Sequence, residues 1–183
     1  MAAVLVLVVV VVIVGVVLVA MYNKLVRLRN RIENAWAQID VQLQRRYDLI
    51  PNLVETVKGY ASHEKGVLEG VTQARNAAMN AQGPQAKAEA DNIVTGALKS
   101  LFAVSEAYPD LKANQNFLAL QEELSGTEGK VAYARQFYND AVNGYNTSIQ
   151  SFPTSLLAKQ FGFQEREYYE AGDESRGPVR VQF

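Results

Sequence analysis

The chain has 183 residues, with 18 basic and 19 acidic side chains, a net charge of −1 and an isoelectric point near 5.9. That balance excludes the basic excess expected of a nucleic-acid-binding domain. There is no cysteine, which removes disulfides, thiolate nucleophiles and thiolate-bound metals and leaves the redox compartment open.

The first element is residues 2–21, AAVLVLVVVVVIVGVVLVAM, with no charged or polar side chain and eleven valines. A helix of that length, at ~1.5 Å per residue, reaches ~30 Å, the thickness of a bilayer's hydrocarbon core. Valine slightly disfavours helix in water. In hydrocarbon a lone segment must satisfy its own amides, and several kcal/mol per unmet group outweighs that deficit. A retained anchor is expected rather than a cleaved signal peptide. Only Met1 precedes the run, the run is longer than a signal core, and Leu18 stands two places before Ala20 where a small residue would be needed. Lys24, Arg27, Arg29 and Arg31 follow, with no acid before Glu33. Basic residues beside a span stay in the cytoplasm, so the amino terminus is expected outside and the soluble part inside.

From Tyr22 onward, Leu25, Leu28, Ile32, Ala35, Ile39 and Gln42 recur at steps of three and four, with Trp36 and Leu43 beside the stripe. That is helical spacing, and no Gly or Pro separates it from the span, so one helix is expected to about Tyr47. Pro51 either opens a new helix or kinks a continuous one. Beyond it, Leu53, Val57, Tyr60, Glu64, Val67, Val71, Ala74 and Ala78 keep a seven-residue repeat, which predicts a second helix ending near Asn80. Ala81-Gln82-Gly83-Pro84 breaks the pattern, and Pro84 starts a third helix with Ala90, Ile93, Ala97, Leu101 and Val104 inward. Tyr108-Pro109-Asp110 is the next break, with Asp110 as the expected cap. The last long helix carries Phe117, Leu120, Leu124, Val131, Ala134, Tyr138, Ala141, Tyr145 and Ile149. Gly126 and Gly129 weaken its interior by ~1 kcal/mol each. After Phe152-Pro153 the tail crowds Leu156, Leu157, Phe161, Phe163, Tyr168 and Tyr169 together, too apolar to lie free in water, while 171–183 reads as irregular. The expected fold is all-α: a transmembrane anchor (1–21), an antiparallel bundle of about four long helices (22–152) and a less regular tail (153–183).

Motifs for chemistry are sparse. His63-Glu64 lacks the second histidine of a zinc-protease helix, Gly126–Lys130 is too short for a phosphate loop, and no serine sits between the glycines of a nucleophile elbow. Glu33 and Asp40 share a helix face and could do acid–base or metal work, although such carboxylates are usually a solvated face. Glu64, alone in an apolar stripe, needs a partner, for which Arg45 and Arg46 are the candidates. Arg45, Arg46, Tyr47, Asp48, Pro51 and Asn52 gather polar groups at the expected bend. They either fix the bend by charge-assisted hydrogen bonds or present a binding edge.

Tyr22–Asn30, Ala35-Trp36, Ile39–Leu43, Arg45–Val54, Val57–Tyr60 and His63-Glu64 resemble the LemA family, as do Phe152-Pro153, Phe161–Phe163 and Pro178–Phe183. The resemblance implies a single-span bacterial membrane protein with a soluble antiparallel helical bundle and no assigned catalytic residue. A relative that takes part in building magnetosome membranes implies a membrane-organising role by analogy. The reading that follows is a non-enzymatic, membrane-anchored scaffold without cofactor or metal. Its expected partners are the bilayer through residues 2–21, a second copy of itself and other envelope proteins. Gly15 has no small residue four places away, so assembly through the span is not expected, and the juxtamembrane helix and aromatic tail would carry it. The alternatives are a membrane-tethered hydrolase using Glu33, Asp40 or Glu64 and a sensor that binds a small ligand between helices.

Overall fold

The computed structural model describes residues 1–170; the stretch expected to be irregular, with the closing Pro178–Phe183, lies outside the described residues. Every regular element among them is helical: α1 (Ala2–Lys58), α2 (Lys65–Asn80), α3 (Pro84–Glu106), α4 (Pro109–Lys112), α5 (Gln115–Gln150) and α6 (Thr154–Gln160). The described chain forms two compact units, one of residues 1–37 with 137–167, the other of 38–136 with 168–170. Helices α1 and α5 contribute to both.

In the first unit, residues 2–20 are exposed throughout, a single apolar helix with no protein packed around it. That is the pattern of a membrane anchor, whose apolar surface has lipid as its solvent. Burial begins at Leu25 and continues at Ile32 and Ala35 on α1, with Tyr138, Ala141, Val142, Tyr145 and Ile149 on α5. The tail is held mainly through its backbone. Tyr138 Oη donates to the Glu167 carbonyl and Tyr145 Oη to that of Gln164, both at 2.9 Å. Asn146 pairs with both backbone groups of Arg166, each at 2.9 Å. Tyr22 meets the rings of Phe161 and Phe163 edge-on, at 5.1 and 5.7 Å between centroids. Phe163 is thereby half-buried, while Phe161 stays exposed.

The second unit buries Ile39, Leu43, Tyr47, Ile50, Leu53 and Val57 of α1 against a core that includes Val71, Val94, Leu98, Leu101, Phe117 and Leu124. Four expectations need correction here. The first helix does not end near Tyr47: of the two alternatives at Pro51 the structure has the continuous one, and α1 runs through it to Lys58. The break comes instead at residues 59–64, where Ala61 N–H closes onto the Val57 carbonyl at 2.8 Å and Ala61 is fully buried. Glu64 therefore sits in the turn before α2 and not on a helical stripe. On α3 the inward face is Ala90, Asp91, Val94, Leu98, Leu101 and Ser105, while Ile93 is 61% exposed. The stripe was offset by one residue because the pattern admitted Ile93 and rejected an acid. Asp110 lies inside α4, and Asn114 caps α5 by accepting the Phe117 N–H at 3.0 Å. Gly83, at φ +84°, supplies the left-handed turn into α3.

Candidate functional site

The polar motif that stood out in the sequence divides sharply by burial. Arg46 and Tyr47 are buried, whereas Arg45, Asp48, Pro51 and Asn52 face solvent. Successive residues on a helix point about 100° apart, so the motif cannot form one surface. The residue that organises the interior is Arg46. Its Nη1 donates to Asp91 Oδ1 at 2.7 Å, and its Nη2 to Glu128 Oε1 at 2.8 Å and Thr95 Oγ1 at 2.9 Å. One guanidinium thereby ties α1 to α3 and α5. The side chains of Arg46 and Asp91 are 3% and 1% exposed, while Glu128 is 47% exposed.

Burial pushes the Asp91 carboxyl above the usual carboxylate range, and the Arg46 and Arg135 guanidiniums pull against that shift. Burial also raises the Tyr47 and Tyr169 phenols well above their ordinary value, with the nearby Asp91 charge adding to each. Arg135 lies over the Tyr169 ring at 4.8 Å, and Tyr169 Oη reaches toward the Lys87 carbonyl at 3.5 Å. Lys87 Nζ donates to Asp40 Oδ1 at 2.8 Å, and Arg45 Nη2 to Glu123 Oε1 at 2.9 Å. Among the described residues, the buried Arg46 Nε, Tyr47 Oη and Gln42 Oε1 have no hydrogen-bond partner.

How α1 passes through Pro51 is explained one helix away. Proline lacks the N–H that would bond the carbonyl four residues back, which here is that of Tyr47. Arg75 Nε, on α2, donates to that carbonyl at 2.7 Å. A side chain replaces the missing backbone donor, so no carbonyl is stranded in the core. The rest of the motif is local: Asp48 accepts from Gln44 Nε2 at 2.8 Å, and the Asn52 carbonyl from Thr56 Oγ1 at 2.8 Å.

Glu64, half-buried, accepts from Tyr108 Oη at 3.3 Å. It therefore does not serve Arg45 or Arg46, which engage Glu123 and the Asp91–Thr95–Glu128 set. Glu33 and Asp40 also separate: Glu33 faces Arg166 at 3.7 Å, and Asp40 faces Lys87. His63 is exposed. Among the described residues, no three His, Asp or Glu side chains are grouped to hold a metal ion.

Two open grooves lie in the second unit. One, of about 690 Å³, is lined by Val54, Leu68 and Thr72 with Lys58, Lys65 and Glu69 around them. The other, of about 510 Å³, runs between Gln38 and Gln42 of α1 and Gly126, Gly129, Lys130 and Tyr133 of α5. Sequence reasoning missed Asp91, Thr95, Glu128 and Arg75. For Asp91 the signal was present: Val94, Leu98 and Leu101 define a face that also holds position 91.

A model of the LemA family matches residues 35–183. Protein LemA of Metamycoplasma hominis is 29% identical over 168 residues, 89% of this chain and 75% of that protein. Magnetosome protein MamQ 2 of Paramagnetospirillum magneticum and magnetosome protein MamQ of Magnetospirillum gryphiswaldense are each 26% identical, over 85% of this chain and 68% of theirs.

Proposed function

The chain belongs to the LemA family, and from that premise we propose that it is a non-enzymatic, membrane-anchored scaffold that presents an antiparallel helical bundle for assembly with itself and with other envelope proteins. The observation that carries this reading is the Arg46 network. Arg46, the buried charge of the polar stretch, is consumed in joining α1, α3 and α5, and Glu33, Asp40 and Glu64 are each committed to a cation or a hydroxyl. Buried ionic groups of this kind set which helix faces which. The exposed apolar run favours a bundle held at a membrane, where confinement raises the effective concentration for weak contacts. The likeness to relatives named as magnetosome proteins favours, by analogy, a membrane-organising role.

The tail is a weaker surface for self-association than its composition suggested, because Tyr22, Tyr138, Tyr145 and Asn146 already hold it. The groove between α1 and α5 is the better surface: Tyr133, which lines it, is 72% exposed, and Gly126 and Gly129 leave open space above their backbone. The absence of native cysteine allows a clean test. Tyr133→Cys should give a disulfide-linked dimer on oxidation of intact membranes, whereas Glu165→Cys should not. Equal cross-linking at both sites, or none at Tyr133→Cys, contradicts the reading. The basic residues after the span favour a cytoplasmic bundle. A reporter fused after Phe183 should be active only in the cytoplasm, and activity outside reverses the orientation.

A further inference from the structure

In the first unit, three large apolar side chains near the end of the chain remain in solvent: Phe152, Leu156 and Phe161, at 82%, 64% and 58% exposed. Ala158, on the opposite side of α6, is buried. A short helix that buries an alanine and exposes a leucine and flanking phenylalanines has its faces reversed for water. The position of this patch gives the reason. The Phe161 ring sits 5.1 Å from that of Tyr22, the first residue after the apolar span. Phe161 therefore stands at the level where the span leaves the hydrocarbon. Tyr22 is itself the kind of residue that marks that interface.

The charges agree. Between Ser151 and Phe163 the only charged residue is Lys159, and between Tyr22 and Ile32 the charges are Lys24, Arg27, Arg29 and Arg31, with no acid in either stretch. Lys159 is exposed on α6. An apolar patch continuous with a membrane span and flanked in both stretches by cations, with Glu165 beyond Phe163 tied to Gln150, matches an anionic lipid surface, with the rings in the acyl boundary and the ammonium at the phosphates.

We propose that α6 with its flanking Phe152 and Phe161 is a second, interfacial membrane contact, which lies on the bilayer beside the spanning part of α1. The span alone leaves the soluble helices able to tilt and rotate about one point. A second contact removes that freedom and fixes which faces of the protein look along the membrane. The inference rests on residues 2–21 being the anchor; it does not require self-assembly.

The test uses the full chain in vesicles of phosphatidylcholine with and without phosphatidylglycerol. Phe152→Cys and Leu156→Cys each carry a nitroxide spin label, with Val10→Cys and Asp140→Cys as references, and circular dichroism confirms that each variant is folded. Accessibility to lipid-soluble oxygen and to a water-soluble nickel chelate is read at each site. The expected result is an oxygen-to-nickel ratio at 152 and 156 shifted toward that at Val10→Cys, with a larger shift in phosphatidylglycerol that Lys159→Glu reduces. Labels at 152 and 156 as open to nickel as the one at 140, with the label at 10 in lipid, overturn the inference and leave the anchor standing. Labels shielded from both reagents overturn it in favour of a protein contact. A water-exposed label at 10 overturns the anchor and this inference together.

Discussion

Replacing Asp91 by alanine isolates the Arg46 network. The change removes the 2.7 Å bond from Arg46 Nη1 and leaves a guanidinium whose side chain is 3% exposed with Glu128 and Thr95. Breaking a buried pair from one side costs ~3–5 kcal/mol, because the stranded charge remains in low dielectric. Two partners survive, so the lower end applies, ~3 kcal/mol. For a chain of this size 1 kcal/mol shifts the melting point by about 2–4 °C, so Asp91→Ala should melt about 6–12 °C below the parent. Glu128→Gln alters the same cation through a carboxylate that is 47% exposed, and should cost ~1 kcal/mol or less. Removing both charges, with Arg46→Met and Asp91→Leu together, should recover most of the loss, since apolar replacements of buried ion pairs are often neutral or stabilising. The assay is thermal unfolding of the detergent-purified full chain followed by circular dichroism. If Asp91→Ala melts no lower than Glu128→Gln, Arg46 does not depend on a buried partner and the reasoning fails.

Four further outcomes follow from the same geometry. Arg75→Gln should destabilise by ~1–3 kcal/mol by leaving the Tyr47 carbonyl unpaired, and the loss should shrink in a Pro51→Ala background, where residue 51 regains its own N–H; equal losses in both backgrounds, measured by thermal unfolding, refute the link. Tyr47→Phe should be neutral or stabilising, since the buried hydroxyl has no partner; because the folded-state pKa is raised, the native state holds that proton longer than the unfolded chain, so stability falls as pH climbs past ~10, and unfolding curves should show a gentler alkaline slope for the variant. Asn146→Ala should lose both bonds to the Arg166 backbone, worth ~1–3 kcal/mol together, and speed amide exchange at residues 164–167 while leaving α2 unchanged. Glu64→Leu should change stability by under ~1 kcal/mol, since its contact is one 3.3 Å hydrogen bond from Tyr108 and not an ion pair with an arginine; a larger loss would show that the turn depends on the carboxylate.

The elements that were legible in advance were those whose apolar residues repeat over many turns. The span, the juxtamembrane stripe from Leu25 to Ile39 and the face of α5 from Phe117 to Ile149 could be read from spacing alone. The turn at 59–64 escaped because Tyr60 and Glu64 happened to extend the seven-residue repeat, while the residue actually buried there is the small Ala61. Asp91 escaped for a related reason: a search for apolar residues skips an acid, even at a position that Val94, Leu98 and Leu101 place on the inward face. Pro51 left two alternatives open, a new helix or a continuous one, because the group that decides between them, Arg75, lies on another helix. Arg46 was singled out correctly as part of a polar motif, but neighbouring positions on a helix face different ways, and only burial could separate it from Arg45 and Asp48.

The central claim is that the membrane-anchored helices assemble with copies of themselves, and its most direct measure is the mass of the detergent-purified full chain by light scattering, corrected for bound detergent. The expected result is a protein mass at least twice the 20.2 kDa of one chain, reduced by Tyr133→Lys. A mass of one chain at the highest attainable concentration would contradict the account.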